Sequence, residues 1–171
     1  MASTMELFHQ TQIDVLSAPP MCRVITTASH TFTTGFVSPN QPLPWDSAPF
    51  DPYGMWSSGS PTRIKPPVAG YYLATCVIDW ADTGAASGSR IINLNKNGGG
   101  TGAGNGGVST FVQNTISPFT DNAFIFTMTM SGIGFFDGVN DYMEVYGWQF
   151  SGANTTIDAG RTSLNLVKVH V

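Results

Sequence analysis

Histidine, cysteine and carboxylate side chains build most catalytic and metal sites, and this chain places few of them together. Its three histidines are His9, His30 and His170, and its only glutamates are Glu6 and Glu144. The sequence contains no Gly-x-Ser-x-Gly elbow, no His-Glu-x-x-His motif and no cysteine pair at zinc spacing. A glycosidase pair would have to rest on aspartates. We therefore predict that the chain is not an enzyme and has no metal site and no cofactor.

Two loops have compositions that also occur in ligand-binding loops. Residues 97–107 contain seven glycines in eleven residues, but a phosphate loop needs a following helix, and here a strand is predicted to follow. In residues 136–141, oxygens of Asp137, Asn140 and Asp141 lie close in sequence, as they do in cation loops. The acidic density and terminal glutamate of a calcium loop are missing. We predict a mobile hairpin loop at the first segment and an Asp-Gly β-turn at the second.

Charge and composition exclude two classes of partner. The chain has 171 residues, a formal net charge of −4 and only seven lysines and arginines, scattered singly, so it forms no basic patch for nucleic acid. No apolar stretch reaches the roughly 18–20 residues of a membrane span. Residues 1–10 lack the pattern of a signal peptide, so we expect synthesis and folding in a cytoplasm. Cys22 and Cys76 are then expected to be buried free thiols.

The elements that position these residues are predicted to be strands. Residues 1–20 end in Ser-Ala-Pro-Pro and are predicted to form an N-terminal arm, followed by a single domain at 21–171. About ten short strands with no helical stretch between them predict an all-β fold, an antiparallel sandwich or jelly roll. The predicted strands are Met21–Thr27, His30–Val37, Trp45–Phe50, Arg63–Lys65, Tyr71–Trp80, Ser89–Lys96, Val108–Thr115, Ala123–Ser131, Asp141–Phe150 and Thr162–Val171.

Two of these strands are apolar on both faces. A sandwich that exposes its outer faces to water should alternate apolar and polar side chains along each strand. In residues 71–80, one face carries Tyr72, Ala74, Cys76, Ile78 and Trp80, and the opposite face carries Tyr71, Leu73, Thr75 and Val77. In residues 141–150, one face carries Tyr142, Tyr146, Trp148 and Phe150, and the opposite face carries Met143 and Val145. We predict that a second copy covers the second face, in an obligate homo-oligomer of cyclic symmetry.

Several motifs resemble those of the complement globular-head and tumour-necrosis-factor-like jelly rolls, and they occur in the family's order. Residues 63–72, Arg-Ile-Lys-Pro-Pro-Val-Ala-Gly-Tyr-Tyr, resemble the Pro-x-x-Gly-x-Tyr signature, and residues 50–55 resemble the loop before it. Residues 90–98 resemble the strand that leads to an Asn-Gly turn. Residues 140–152 resemble the Gly-Asp-x-Val strand, with Asn in place of Gly, and residues 163–169 resemble the closing strand.

The resemblance spans about residues 21–171 and implies a homotrimer, because this family is usually trimeric, with aromatic residues of one sheet around the threefold axis. Together with the two-face pattern, it implies a set of residues in the core or at the trimer interface. That set is Tyr71, Tyr72, Leu73, Tyr142, Tyr146 and Trp148.

The low charge and the Thr/Ser/Asn-rich strands are most similar to those of tailed-bacteriophage virion proteins with this fold. This resemblance implies a structural protein on the virion surface, assembled in the host cytoplasm. A capsid decoration or head-fibre role is favoured, because one compact domain with a short arm suffices to sit on a lattice. Residues 1–20 would then dock onto the major capsid protein.

The alternative is a minor tail protein that binds a receptor at the tail tip. In that case exposed aromatic side chains such as Trp45, Tyr53 or Trp56 would stack on host-surface carbohydrate. Packing in the core or at an interface is the commoner role for such residues. The number of copies per particle separates the two functions, because decoration needs hundreds of copies and a tail tip needs a handful.

Overall fold

The computed structural model of the chain describes residues 18–33, 41–81, 89–98, 110–116 and 126–169. Within these ranges the chain forms eleven β-strands and no helix, so no helix there is able to cross a membrane. The strands are β1 (Met21–Ile25), β2 (His30–Phe32), β3 (Gln41–Pro42), β4 (Ser47–Phe50), β5 (Gly70–Trp80), β6 (Arg90–Lys96), β7 (Thr110–Ile116), β8 (Phe126–Phe136), β9 (Met143–Gln149), β10 (Thr155–Ile157) and β11 (Ser163–Val169).

The strands form two antiparallel sheets. In the seven-stranded sheet the path of paired strands is β2-β10-β5-β11-β1-β4, and β8 pairs with β5 outside this path. The four-stranded sheet has the order β3-β9-β6-β7. Strands distant in sequence, such as β1 and β11, are neighbours, so the chain crosses repeatedly between the two sheets, as it does in a jelly roll. The predicted all-β antiparallel sandwich is confirmed.

The core is filled from alternate positions of strands in both sheets. β5 contributes one of its two apolar faces, and none of the five side chains on this face is more than 2% exposed: Tyr72, Ala74, Cys76, Ile78 and Trp80. From the other sheet, β9 contributes Met143 and Val145, and β6 contributes Ile92 and Leu94. Full burial of a large apolar side chain contributes about 1.5–3 kcal/mol, so this layer is the main source of stability.

One glycine of β9 is required by the packing of an aromatic ring. The ring of Phe32 packs against Trp80 with centroids 5.3 Å apart and lies over Gly147. A Cβ atom at Gly147 would overlap Cε1 of Phe32. The absence of a side chain at this position therefore allows β2 to close over β9.

Several element boundaries differ from expectation. β3 and β10 have only two and three residues, which is too short for side-chain alternation to reveal them. The strand predicted at residues 63–65 is reduced to isolated bridges that Ile64 makes with Trp56 and Met143. The strand predicted at residues 123–131 continues to Phe136, because all eleven residues of β5 pair with β8.

Two predicted segments lie mainly outside the described residues. These are the arm at residues 1–20, of which 18–20 are described, and the glycine-rich loop at residues 97–107, of which 97 and 98 are described. Asn97 and Gly98 both have positive φ, at 59° and 102°, as expected for an Asn-Gly turn after a strand.

Candidate self-association surface

The outer face of the seven-stranded sheet carries the odd-numbered side chains of β5. Tyr71 is 46% exposed, and Leu73, Thr75 and Val77 are half-buried. An isolated sandwich would place polar residues on such a face. Large apolar side chains instead remain open to solvent, as the alternation in the sequence predicted.

β8 runs beside β5 and extends this face. Ile133 is 59% exposed and Phe135 is 48% exposed. The register places Ile133 opposite Leu73 and Phe135 opposite Tyr71. The rings of Tyr71 and Phe135 pack edge to face, with centroids 5.5 Å apart and planes inclined by 70°. Directly opposite side chains on one face of a sheet are in contact range, so the two strands present one continuous apolar surface.

β11 completes this surface on the other side of β5. Val167 lies opposite Leu73, Val169 lies opposite Tyr71, and both valines are half-buried. An exposed contiguous apolar surface on a folded chain marks an interaction site. The term apolar patch refers below to six side chains: Tyr71, Leu73, Ile133, Phe135, Val167 and Val169.

A groove continues the apolar patch toward the other edge of the sheet. Its volume is about 340 Å³, and it is lined by Met21, Cys22, Arg23, Phe50, Asn165 and Val167. Phe50 of β4 is 50% exposed at its rim. The same face of the sheet therefore carries exposed side chains on β8 at one side and a recess along β1 and β4 at the other.

The far end of the same face is polar. β8 presents Thr129 and Ser131 there, and both are exposed. Beyond them the carboxylate of Asp79 is buried, accepts a hydrogen bond from Thr127 Oγ1 at 2.5 Å and pairs with Arg161 Nη1 at 3.5 Å. The face is thus graded along its strands, from an apolar end to a polar end.

The structure divides the six residues predicted for the core or trimer interface. Tyr72 lies in the core, and Tyr71 and Leu73 lie in the apolar patch. Tyr146 and Trp148 lie on the outer face of the other sheet, because Met143 and Val145 take the core-facing positions of β9. Half-buried Tyr142 precedes β9 on that same side. Since β9 is apolar on both faces, alternation alone does not reveal which face meets the core. The aromatic residues of β9 and those of the apolar patch therefore do not form one cluster.

Glu144 is buried on this outer face of the four-stranded sheet and is fully hydrogen-bonded. Its Oε1 accepts bonds from Thr62 Oγ1 at 2.8 Å and Arg63 Nε at 3.2 Å, and its Oε2 accepts one from the Tyr146 hydroxyl at 2.7 Å. The Arg63 guanidinium lies 4.4 Å from the centroid of the Tyr142 ring. These contacts compensate the buried charge. Sequence reasoning missed this cluster because Thr62 and Arg63 are more than 80 residues away from Glu144.

Two asparagines of β6 stand beside this cluster. Asn93 lies opposite Tyr146, Asn95 lies opposite Glu144, and both are at most 1% exposed. Among the described residues, neither amide has a hydrogen-bond partner, and neither does Nε1 of Trp148. A buried polar group without a partner costs about 1–3 kcal/mol. The five atoms concerned would together cost about as much as the whole stability of a domain, about 5–15 kcal/mol.

The aromatic residues considered for sugar stacking are engaged within the chain. The Tyr53 hydroxyl donates a hydrogen bond to the Ala18 carbonyl at 2.6 Å, and Trp56 Nε1 donates one to the Pro61 carbonyl at 3.0 Å. Both rings are half-buried against the core, and Trp45 is only 1% exposed. All three side chains pack within the domain.

The segment considered as a cation loop is a hydrogen-bonded turn. Oδ1 of Asp137 accepts bonds from the backbone N–H groups of Val139, Asn140 and Asp141 at 2.8–2.9 Å. These bonds, led by those from Asp141 and Val139, hold the pKa of Asp137 well below its usual range. Asp141 in turn pairs with Lys96 Nζ at 2.6 Å. The described part of the chain contains no group of three His, Cys, Asp or Glu side chains that would hold a metal ion.

Neither cysteine is prepared to act as a nucleophile. Both thiols are free and buried. Burial, with a smaller contribution from Asp51, raises the pKa of Cys22 to about 12, and burial raises the pKa of Cys76 well above its ordinary value. Both groups therefore stay protonated at neutral pH, whereas a reactive cysteine must be a thiolate.

Comparison with known proteins identifies the fold. No protein-family model and no curated protein matches the chain. The structure of Eiger TNF from S. frugiperda is similar, with a TM-score of 0.57 and 16% identity over 88% of this chain and 94% of that chain. The crystal structure of murine APRIL at pH 5.0 is also similar, with a TM-score of 0.62 and 12% identity over 88% of this chain and 98% of that chain.

Identities this low establish the fold and nothing more. The similarity covers nearly the whole length of both neighbours. The predicted resemblance is confirmed at the level of the fold: the domain is a tumour-necrosis-factor-like jelly roll.

Proposed function

We propose that the chain is a non-enzymatic structural protein that forms homotrimers on the exterior of a tailed-phage particle, as a capsid decoration or head-fibre protein. The observation that carries the self-association is the apolar patch on the outer face of the seven-stranded sheet. Tyr71, Ile133 and Phe135 are each about half exposed there in a single copy.

Burial of apolar side chains on this face would favour association. Removing roughly 1,000 Å² of apolar surface per copy from water is worth about 25 kcal/mol at 25 cal/mol per Å². The loss of translational and rotational freedom on association costs about 4–15 kcal/mol. An interface of that size would hold copies together even when much of the gross gain is offset by side-chain ordering.

The arrangement of the face supports a ring of copies over a two-fold dimer. Exposed Ile133 and Phe135 lie on β8 at one side of the face, and the groove beside Met21 and Phe50 lies at the other. A contact between two different regions of the same surface is head-to-tail, and it forms a cyclic assembly when the rotation between copies closes. A trimer is the member of that class that the tumour-necrosis-factor-like fold favours.

The virion role is supported by the sequence. The chain has few charges, and its strands are rich in Thr, Ser and Asn. In a trimer, three arms bind a lattice together, so individually weak contacts add up to firm attachment through effective concentration. Residues 1–20 are the proposed contact with the major capsid protein.

Quantitative mass spectrometry of purified phage particles tests this role. Hundreds of copies per particle would support decoration. A handful of copies per particle would contradict the capsid role and support the tail-tip role, in which host carbohydrate is the partner. Absence of the chain from particles would overturn both roles.

A truncation separates attachment from folding. A chain that begins at residue 21 retains all eleven described strands. We expect it to remain a trimer and to lose its attachment to particles that lack the full-length protein. Attachment at normal occupancy would contradict the role of the arm.

A further inference from the structure

We propose that the outer face of the four-stranded sheet binds hydroxyl groups through Asn93, Asn95 and Trp148. This site is on the sheet that does not carry the apolar patch, and it does not depend on the proposed trimer. The term amide row refers to the side-chain amides of Asn93 and Asn95 together with Nε1 of Trp148. All three side chains are at most 4% exposed.

The amide row contains hydrogen-bond donors and hydrogen-bond acceptors that have no partner among the described residues. Each asparagine amide offers two N–H donors and one carbonyl acceptor, and the indole offers one N–H donor. Within the described ranges none of these groups has a partner. Groups buried this deeply are normally hydrogen-bonded, and a bound group that both donates and accepts hydrogen bonds would satisfy them.

The neighbours of the row narrow the chemistry of that partner. Glu144 lies opposite Asn95 and is negatively charged, which disfavours an anion. Both oxygens of this carboxylate accept hydrogen bonds, from Thr62, Arg63 and Tyr146, and its charge is already paired with Arg63, which disfavours a cation. A neutral group that both donates and accepts hydrogen bonds fits the row, and a hydroxyl is such a group.

The spacing along the strand fits two adjacent hydroxyl oxygens. Asn93 and Asn95 are two residues apart on one face of β6, so equivalent atoms of their side chains are roughly 7 Å apart. Two hydroxyl oxygens in hydrogen-bond contact with each other span this gap. Two ordered water molecules provide that arrangement, and so do neighbouring hydroxyls of a saccharide ring.

The more exposed neighbours of the amide row lie at the Tyr142 end of β9. On the same side of β9, Tyr142 is half-buried, and the side chain of Arg63 above its ring is 48% exposed. Beyond Tyr142 the side chains on this face of β9 are all buried, at 3% exposed for Glu144, 9% for Tyr146 and 4% for Trp148. A hydroxyl-bearing molecule would enter past Arg63.

Nuclear magnetic resonance of the full chain, labelled with ¹⁵N at asparagine, tests the proposal. The variants Asn93→Leu and Asn95→Leu assign the two side-chain NH₂ signals. In the first arm, rotating-frame Overhauser spectra detect long-lived water beside each NH₂ group. In the second arm, methyl glycosides of glucose, galactose and N-acetylglucosamine are added one at a time. The amide of Asn165, half-buried on the other sheet, serves as the internal control.

Cross-peaks from the Asn93 and Asn95 amides to long-lived water, absent for Asn165, support the site with water as the source. Cross-peaks to a glycoside, with shifts confined to the amide row, support it with a saccharide as the source. Absence of both overturns the proposal.

Thermal unfolding gives an independent check. If bound hydroxyl groups form hydrogen bonds with the two amides, the double variant N93L/N95L should melt about 5 °C below the wild type. If the amides have no hydrogen-bond partner, replacing these buried polar groups should raise the melting temperature, which would contradict the proposal.

Discussion

Tyr71 and Phe135 pack ring against ring, with centroids 5.5 Å apart, and yet each remains nearly half exposed. Two aromatic side chains that touch on an open sheet face bury only the edge they share. Their remaining surface is open to solvent, and a second copy of the chain is the partner that we propose for it.

Ile133→Lys should dissociate the trimer without unfolding the domain. Ile133 is 59% exposed and points away from the core, so the substitution leaves internal packing intact. In an assembled interface, it would bury an unpaired ammonium group, which costs several kcal/mol. Light scattering after size-exclusion chromatography should show the mass falling from that of three chains to that of one.

Val139→Lys is the matched control for this substitution. Val139 is 76% exposed at the turn between β8 and β9, outside the apolar patch. We expect the control variant to keep the wild-type mass. Equal effects of the two substitutions on the mass would show that added charge, and not the apolar patch, determines assembly.

Gly147→Ala should destabilise the fold, because the new Cβ would overlap the ring of Phe32. Over-packing of this kind typically costs about 1–3 kcal/mol. Urea unfolding should report the loss. Gly59→Ala is the control, since no atom lies within 4 Å of a Cβ placed there. Equal unfolding free energies for the two variants would contradict the packing described for β2 and β9.

Asp137→Asn should weaken the β8–β9 turn in a pH-dependent way. The pKa of Asp137 is lower in the folded chain than its ordinary value of 3.8, because three backbone N–H groups bind the carboxylate. Its contribution to stability is therefore fully present above about pH 5 and is lost as the pH falls through the folded pKa.

Thermal melts of wild type and Asp137→Asn at several pH values measure this effect. The wild type should melt higher at neutral pH, and the difference should shrink steadily below about pH 4. A difference that stays constant down to pH 3 would show that the charge of Asp137 does not support the turn.

The alternation of side chains showed that β5 and β9 are apolar on both faces, but it did not reveal which face of either strand meets the core. In β5 the face that ends in Trp80 is buried, and the face that begins at Tyr71 is open. In β9 the core is filled by Met143 and Val145 and not by the larger aromatic residues. Shape complementarity between sheets, which a single strand does not encode, decides such cases.

Other features had no local signal. The extension of β8 beyond Ser131 depends on pairing with β5 across two glycines, Gly132 and Gly134, which are poor strand formers on their own. The burial of Asn93 and Asn95 is likewise invisible in the sequence, because asparagines in a strand are expected to face water. Long-range pairing, not local preference, creates both features.

The mass of the purified wild-type chain at micromolar concentration tests the central claim most directly. One chain has a mass of 18.2 kDa, so a trimer has about 55 kDa. The apolar patch predicts the trimer mass in light scattering, unchanged on dilution and at high salt, because the contact is hydrophobic. A stable 18.2 kDa monomer under these conditions would contradict the account.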